Sequence, residues 1–171
     1  MTIRTATMND LNAITAVEAE CFPAAEAASR EEFSKRLTYY NDHFWLMFDE
    51  DKLIAFVDGF VTDEETLTDE MFHDASMHNP NGAWQMIFGV NTLPEYRRCG
   101  YAKELIKKAI LDAREQNRRG LVLTCKESLV PYYSKFGFID EGITDKSTHG
   151  NVLWHQMRLD FELRNNGVKQ I

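Results

Sequence analysis

Six residues, Arg97-Arg98-Cys99-Gly100-Tyr101-Ala102, carry the first chemistry that can be read from this chain. They follow Pro94-Glu95-Tyr96 and run into a segment where Ala102, Leu105, Ile106, Ala109, Ile110 and Ala113 recur at helical spacing. Upstream, Trp84 to Val90 reads as a buried strand. A strand, a glycine turn and a helix therefore succeed one another. The first turn of such a helix leaves several backbone N–H groups unpaired, all pointing toward the turn. With the positive end of the helix dipole they form an anion site suited to a pyrophosphate. Gly100 has no Cβ, so a phosphate can come close to the backbone there. The spacing lacks the Gly-Lys-Ser/Thr end of the P-loop and the three glycines of the dinucleotide fingerprint. A basic turn that merely opens a helix is the alternative.

The elements that must position this turn fit one domain. The chain has 171 residues, 44% of them hydrophobic and 27% charged, enough for a proper core. A net charge of −8 argues against broad nucleic-acid binding or adhesion to an anionic membrane. Cys21, Cys99 and Cys125 are odd in number and far apart, which argues against a zinc site or disulfide framework and for a reducing compartment. The N-terminus shows no signal-peptide run, and no apolar stretch is long enough to span a membrane, so a cytoplasmic location is expected.

In chain order, Ile3 to Thr5 reads as a strand. A capping box at Thr7 to Asp10 opens a helix with the apolar stripe Leu11, Ile14, Val17 and Cys21. A second box at Ser29 to Glu32 opens the helix of Phe33, Leu37 and Tyr40. His43 to Phe48 and Leu53 to Phe60 form a hairpin. Val61 to Gly82 is long enough to be an ordered lid, with a short helix near Thr68 to His73; a linker is the alternative. The helix after Gly100 is expected to stop around Arg118-Arg119-Gly120. Leu121 to Cys125 is a buried strand parallel to the one before the turn. A short helix from Ser128 to Phe136 follows, then an antiparallel pair, Phe138 to Thr144 and Asn151 to Asp160. The expected fold is a mixed α/β, mostly antiparallel sheet of seven strands with flanking helices and one parallel crossover at the Gly100 turn. It occupies 1–162, followed by a tail, 163–171, expected to fray. Ligands of such sheets bind beyond the carboxyl ends of the strands, where that turn lies.

At this point the chain resembles the GCN5-related N-acetyltransferases. Their acetyl-CoA loop, Arg/Gln-x-x-Gly-x-Gly/Ala, is matched by Arg97 to Ala102, and their Tyr followed by Gly-Phe by Tyr133 and Gly137-Phe138. The stretch Leu129-Val130-Pro131-Tyr132-Tyr133-Ser134-Lys135-Phe136-Gly137-Phe138, after a strand ending in Cys125, is similar to the arylalkylamine (serotonin) N-acetyltransferase branch. The resemblance runs from Ile3 to Asp160. It implies acetyl-CoA as co-substrate and no metal. The pantetheine arm would lie along the main chain of Val90, Asn91 and Thr92, and the pyrophosphate on Arg97, Arg98, Cys99, Gly100, Tyr101, Ala102 and Lys103. Tyr133 matches the family's acid at the thioester sulfur; its other reading is a core aromatic. In one respect the chain departs from the branch. Where its animal enzymes carry two relay histidines, Met86 and Phe88 stand, and neither can accept a proton.

The implied reaction is attack of an amine on a thioester. A primary amine with the pKa of Lys, about 10.4, is only about 0.04% neutral at pH 7, a handicap of about 4.6 kcal/mol that a proton acceptor relieves. Glu26, His73, His78, His149 and His155 are the candidates, each also readable as a surface or structural residue, and an ordered-water relay stands beside them. Cys99 and Cys125 lack the paired base of an acyl nucleophile. Glu26, Phe22 and Trp84 are expected to touch the acceptor, since aromatic residues could line a pocket for an aromatic amine; core packing is their other reading. The expected partners are a small-molecule amine and no nucleic acid or membrane, with the chain a monomer or homodimer. The rival functions are acetylation of a polyamine or protein amine, and a catalytically degenerate acetyl-CoA-binding module.

Overall fold

The computed structural model describes residues 1–163. Residues 164–171, nearly all of the expected tail, lie outside the described residues. Strand β1 (Thr2–Thr5) leads through the Thr7 box into α1 (Leu11–Cys21), and the Ser29 box opens α2 (Arg30–Tyr40). Both boxes form as read: Asp10 accepts from the Thr7 N–H at 2.8 Å, and Ser29 and Glu32 cap each other at 2.8 and 3.1 Å. The hairpin is β2 (Phe44–Asp49) and β3 (Lys52–Asp58). After it come β4 (Val61–Thr62), α3 (Asp69–His73), β5 (Trp84–Ile87) and β6 (Gly89–Thr92). Then α4 (Tyr101–Glu115), β7 (Gly120–Cys125), α5 (Val130–Ser134), β8 (Ile139–Thr144) and β9 (Trp154–Asp160) complete the domain.

The strands make two sheets, β1-β2-β3-β6 and β4-β5-β7-β9-β8, and every pairing is antiparallel except β5 with β7. Period-two alternation assigns each face a core. Phe44, Leu46 and Phe56 turn to the cluster under α1 and α2, while Trp45, Met47 and Val57 turn to the cluster under α4.

The sequence reading put seven strands in one sheet; the described residues form nine in two. One extra strand is β4, in the segment read as a lid, and the other arises from a break at Phe88. Met86 N–H donates to Phe60 O and Phe88 N–H to Asp58 O, both at 2.8 Å, so the β3–β4 and β5–β6 segments cross from sheet to sheet as one ribbon. Of β5 and β6, strand β7 pairs with β5 alone, the pairing ending at Ile87↔Leu123. Beyond that point β6 and β7 part, and β6 becomes the edge of the first sheet.

The end of α4 also differs from the expectation. The helix stops at Glu115, and Asn117 (φ 60°) makes the left-handed turn as Arg118 N–H reaches back to Ala113 O at 3.0 Å. Gly120 serves β7 instead, since a Cβ there would stand 1.8 Å from Leu159 O.

Candidate active site

The parting of β6 and β7 opens a cleft of about 360 Å³ at the carboxyl ends of β5 and β7. Ile87, Phe88, Gly89 and Val90 form one wall, and Leu123 to Lys126 with Tyr133 form the other. Phe22, Glu26 and their neighbours from the α1–α2 connection close one side, and Phe72 and His73 of the lid another. His149 and Trp154 line it as well, their rings 4.4 Å apart.

The anion turn has the geometry its sequence suggested. Gly100 takes φ +84°, and the place of its missing Cβ is open, with nothing within 4 Å. Arg98, at φ 62°, bends the chain so that α4 starts at Tyr101. Among the described residues, the N–H groups of Arg98 to Lys103 find no acceptor. Arg97 Nε donates to Thr92 O at 3.1 Å, which folds the guanidinium back to the end of β6. The open edge of β6 thus runs from the cleft at Val90 past Asn91 and Thr92 toward the free N–H groups. These residues fit an extended ligand that ends in a pyrophosphate.

Tyr133 is 7% exposed and lines the cleft, and its hydroxyl makes no hydrogen bond among the described residues. Burial raises its pKa, with Tyr132 and Cys125 adding to the effect, so it is a neutral O–H donor. The Cys125 thiol, in contact with Met157 Sδ at 3.5 Å, is pushed up to about 11 by burial, which removes it as a nucleophile.

The structure brings Glu26 and Phe22 to the cleft but not Trp84. Trp84 pairs with Gly120 at the amino end of β5, opposite the cleft. There it is 3% exposed, with Arg158 and Arg119 4.5 and 5.4 Å from its ring. It is a core residue and, contrary to the expectation, does not line the cleft. The proton-acceptor candidates divide likewise. His149 and His73 line the cleft, held by Asp69 at 3.0 Å and Glu32 at 2.6 Å. His78 packs among Tyr40, His43 and Phe60 and accepts from the Val61 N–H at 3.0 Å. Burial, then the neighbouring His43, lowers its pKa to about 4. His155 pairs with Asp140 on the far side of β9 and does not line the cleft. Glu26 is 3.4 Å from Lys126 Nζ.

Among the cleft residues that the sequence reading did not single out are Glu18, Arg36 and Asp58. Their signal was a charge on an apolar stripe. Glu18 falls four residues after Ile14 on the buried face of α1, Arg36 three after Phe33 on α2, and Asp58 inside the apolar run of β3. Arg36 Nη1 donates to Asp58 Oδ2 at 2.9 Å and Nη2 to Phe72 O at 3.0 Å, joining α2, β3 and the lid beneath the cleft.

The family model described as the acetyltransferase (GNAT) family matches residues 11–138, and the chain belongs to that family. Among curated proteins, the serotonin N-acetyltransferase of Mesocricetus auratus is 33% identical over 93 residues, 53% of this chain. The match spans only 43% of that relative's length. Among solved structures, the loading GNATL domain of CurA from Lyngbya majuscula has a TM-score of 0.82 at 15% identity, covering 95% of this chain and 98% of its own. The ribosomal-protein-S18-alanine N-acetyltransferase from Escherichia coli has a TM-score of 0.68 at 18% identity, covering 93% and 92%. These two share the fold. The mixed α/β architecture read from the sequence is therefore that of the family, with the strand count corrected as above.

Proposed function

We propose that this chain is an acetyl-CoA-dependent N-acetyltransferase whose acceptor is a small primary amine of the arylalkylamine type. The observation that carries the reading is the parting of the strands at Phe88. It leaves an open strand edge that runs from a cleft lined by Tyr133 toward a row of N–H groups with no acceptor among the described residues. In this reading the N–H groups of Arg98, Cys99, Gly100, Tyr101, Ala102 and Lys103, with the side chains of Arg97 and Arg98, hold the pyrophosphate. The main chain of Val90, Asn91 and Thr92 pairs with the pantetheine arm as an added strand. Tyr133 gives its proton to the departing thiolate, whose pKa, near the 8.5 or so of a cysteine thiol, makes only a modest demand on an acid.

The arylalkylamine preference is supported by the serotonin N-acetyltransferase relative and by the rings of Phe22, Phe72, Phe88 and Trp154 in the lining. Phe88 occupies a position where the resembling branch has a relay histidine, so the proton must leave by another route. The test is thiol release from acetyl-CoA across a panel of arylalkylamines, polyamines and peptide N-termini. The reading expects saturable turnover with the first class above the others. Saturable acetyl-CoA binding without turnover on any amine contradicts it and leaves a binding module.

A further inference from the structure

Four carboxylates line the cleft, and three already have a cation or imidazole partner. Asp58 has Arg36 at 2.9 Å, Glu26 has Lys126 at 3.4 Å, and Glu32 has His73 at 2.6 Å. Glu18 differs. It is 7% exposed, yet among the described residues no cation stands within ion-pair distance of it. Its Oε1 accepts from the Ala28 N–H at 3.1 Å, and Oε2 has no hydrogen-bond partner there. Beside it, on β6, lies the Asn91 carboxamide, 1% exposed, close enough to lower the Glu18 pKa, though neither Nδ2 nor Oδ1 comes within full hydrogen-bond geometry of a partner among the described residues. A buried carboxylate with an open oxygen is costly unless a cation completes it. Glu18 lines the cleft from α1, which packs against β6, the strand whose parting from β7 opens it.

We infer that Glu18 receives the ammonium group of the acceptor amine and takes its proton before attack. The inference rests on the acetyltransferase reading above. In the step, one N–H bond of the ammonium breaks, its electron pair stays on nitrogen as the attacking lone pair, and the proton rests on Glu18. As the C–N bond forms and the C–S bond breaks, the second proton shed by nitrogen goes to the departing thiolate through Tyr133. Glu18 then releases its proton to solvent, so the net reaction yields amide, thiol and one proton.

The surroundings of Glu18 suit this role. Burial, followed by the charge of Asp58 on β3, raises its pKa from 4.5 to about 7. The Ala28 N–H of the α1–α2 connection, Arg36 on α2 and the Asn91 amide on β6 pull it back. Such a group is ionised above neutrality and binds a proton well enough to accept one. Arg36, paired with Asp58, leaves Glu18 as the unpartnered negative charge, which favours amines that carry no carboxylate of their own.

Glu18→Gln keeps the shape and the Ala28 bond and removes the proton acceptor. At pH 7 its kcat is expected to fall by about 10²-fold or more while acetyl-CoA affinity stays within about twofold. In the parent, kcat/KM rises with pH through about 7 and levels off. In E18Q that limb disappears, and the rate follows the neutral fraction of free amine, about tenfold per pH unit. A parent-like profile in E18Q, or loss of the limb in His149→Gln alone, overturns the inference. Carboxyl-carbon NMR of the parent, with Glu18 assigned by difference from E18Q, is independent of turnover. An apparent pKa near 7 supports the inference, and one below about 5 overturns it. A parent inert on every amine refutes the acetyltransferase reading, and the titration then reports on Glu18 alone.

Discussion

Replacing Arg36 with Met would leave Asp58 buried with no cation facing it. The two side chains are 5% and 1% exposed and meet at 2.9 Å. Arg36 also donates to Phe72 O in the lid and stands 5.2 and 5.3 Å from the rings of Phe33 and Phe88. Removing one member of a buried pair costs about 3–5 kcal/mol, a large share of the roughly 5–15 kcal/mol that holds a domain together. The sign of the pH dependence follows from the carboxylate left behind. Burial already raises Asp58 above 3.8 even with Arg36 present, and without that cation it rises further. The folded variant then binds a proton that the unfolded chain has released, so its deficit is small near pH 4 and grows as pH rises toward the folded pKa. The double variant R36M/D58N removes both charges and is expected to lie within about 2 kcal/mol of the parent. Urea unfolding followed by tryptophan fluorescence at pH 5 and pH 8 measures all four members of the cycle. A deficit for R36M below about 1 kcal/mol at pH 8, or a double variant as unstable as the single, would refute the argument.

The same linkage applies to Glu18. Its pKa of about 7 in the fold lies above the ordinary 4.5, so the parent loses stability as pH rises through that window, by about 3 kcal/mol. E18Q has no such titration, and its stability relative to the parent should improve by that amount between pH 4.5 and pH 8 in urea titrations; an unchanged difference contradicts the placement of Glu18. Gly100→Ala puts a Cβ into the open space of the anion turn at φ +84°. Calorimetry should show coenzyme A binding weakened by about tenfold, with a melting temperature lower by only about 2–4 °C for the left-handed strain. Unchanged affinity would separate the turn from the pyrophosphate.

Much of this architecture was legible because local and global preferences agree. The boxes at Thr7 and Ser29, the stripe Leu11-Ile14-Val17 and the turn at Gly100 each specify one conformation, and each forms. The break at Phe88 was not legible, because its cause is not local. Met86 and Phe88 look like one strand until the hydrogen bonds to Phe60 and Asp58 divide them between two sheets. Trp84 was misread for a related reason. Period-two alternation says which face a residue takes but not which end of the strand meets the cleft. Glu18, Arg36 and Asp58 were passed over because apolar stripes draw attention to their hydrophobic members, whereas here the charged exceptions converge beneath the cleft.

The central claim is that the cleft opened at Phe88 transfers an acetyl group with the help of Tyr133. Steady-state thiol release from acetyl-CoA, with the best amine of the panel and parent beside Tyr133→Phe, tests it most directly. The account predicts saturable turnover by the parent and a kcat lower by about tenfold or more in Y133F, with acetyl-CoA affinity retained. A Y133F variant as fast as the parent would contradict it.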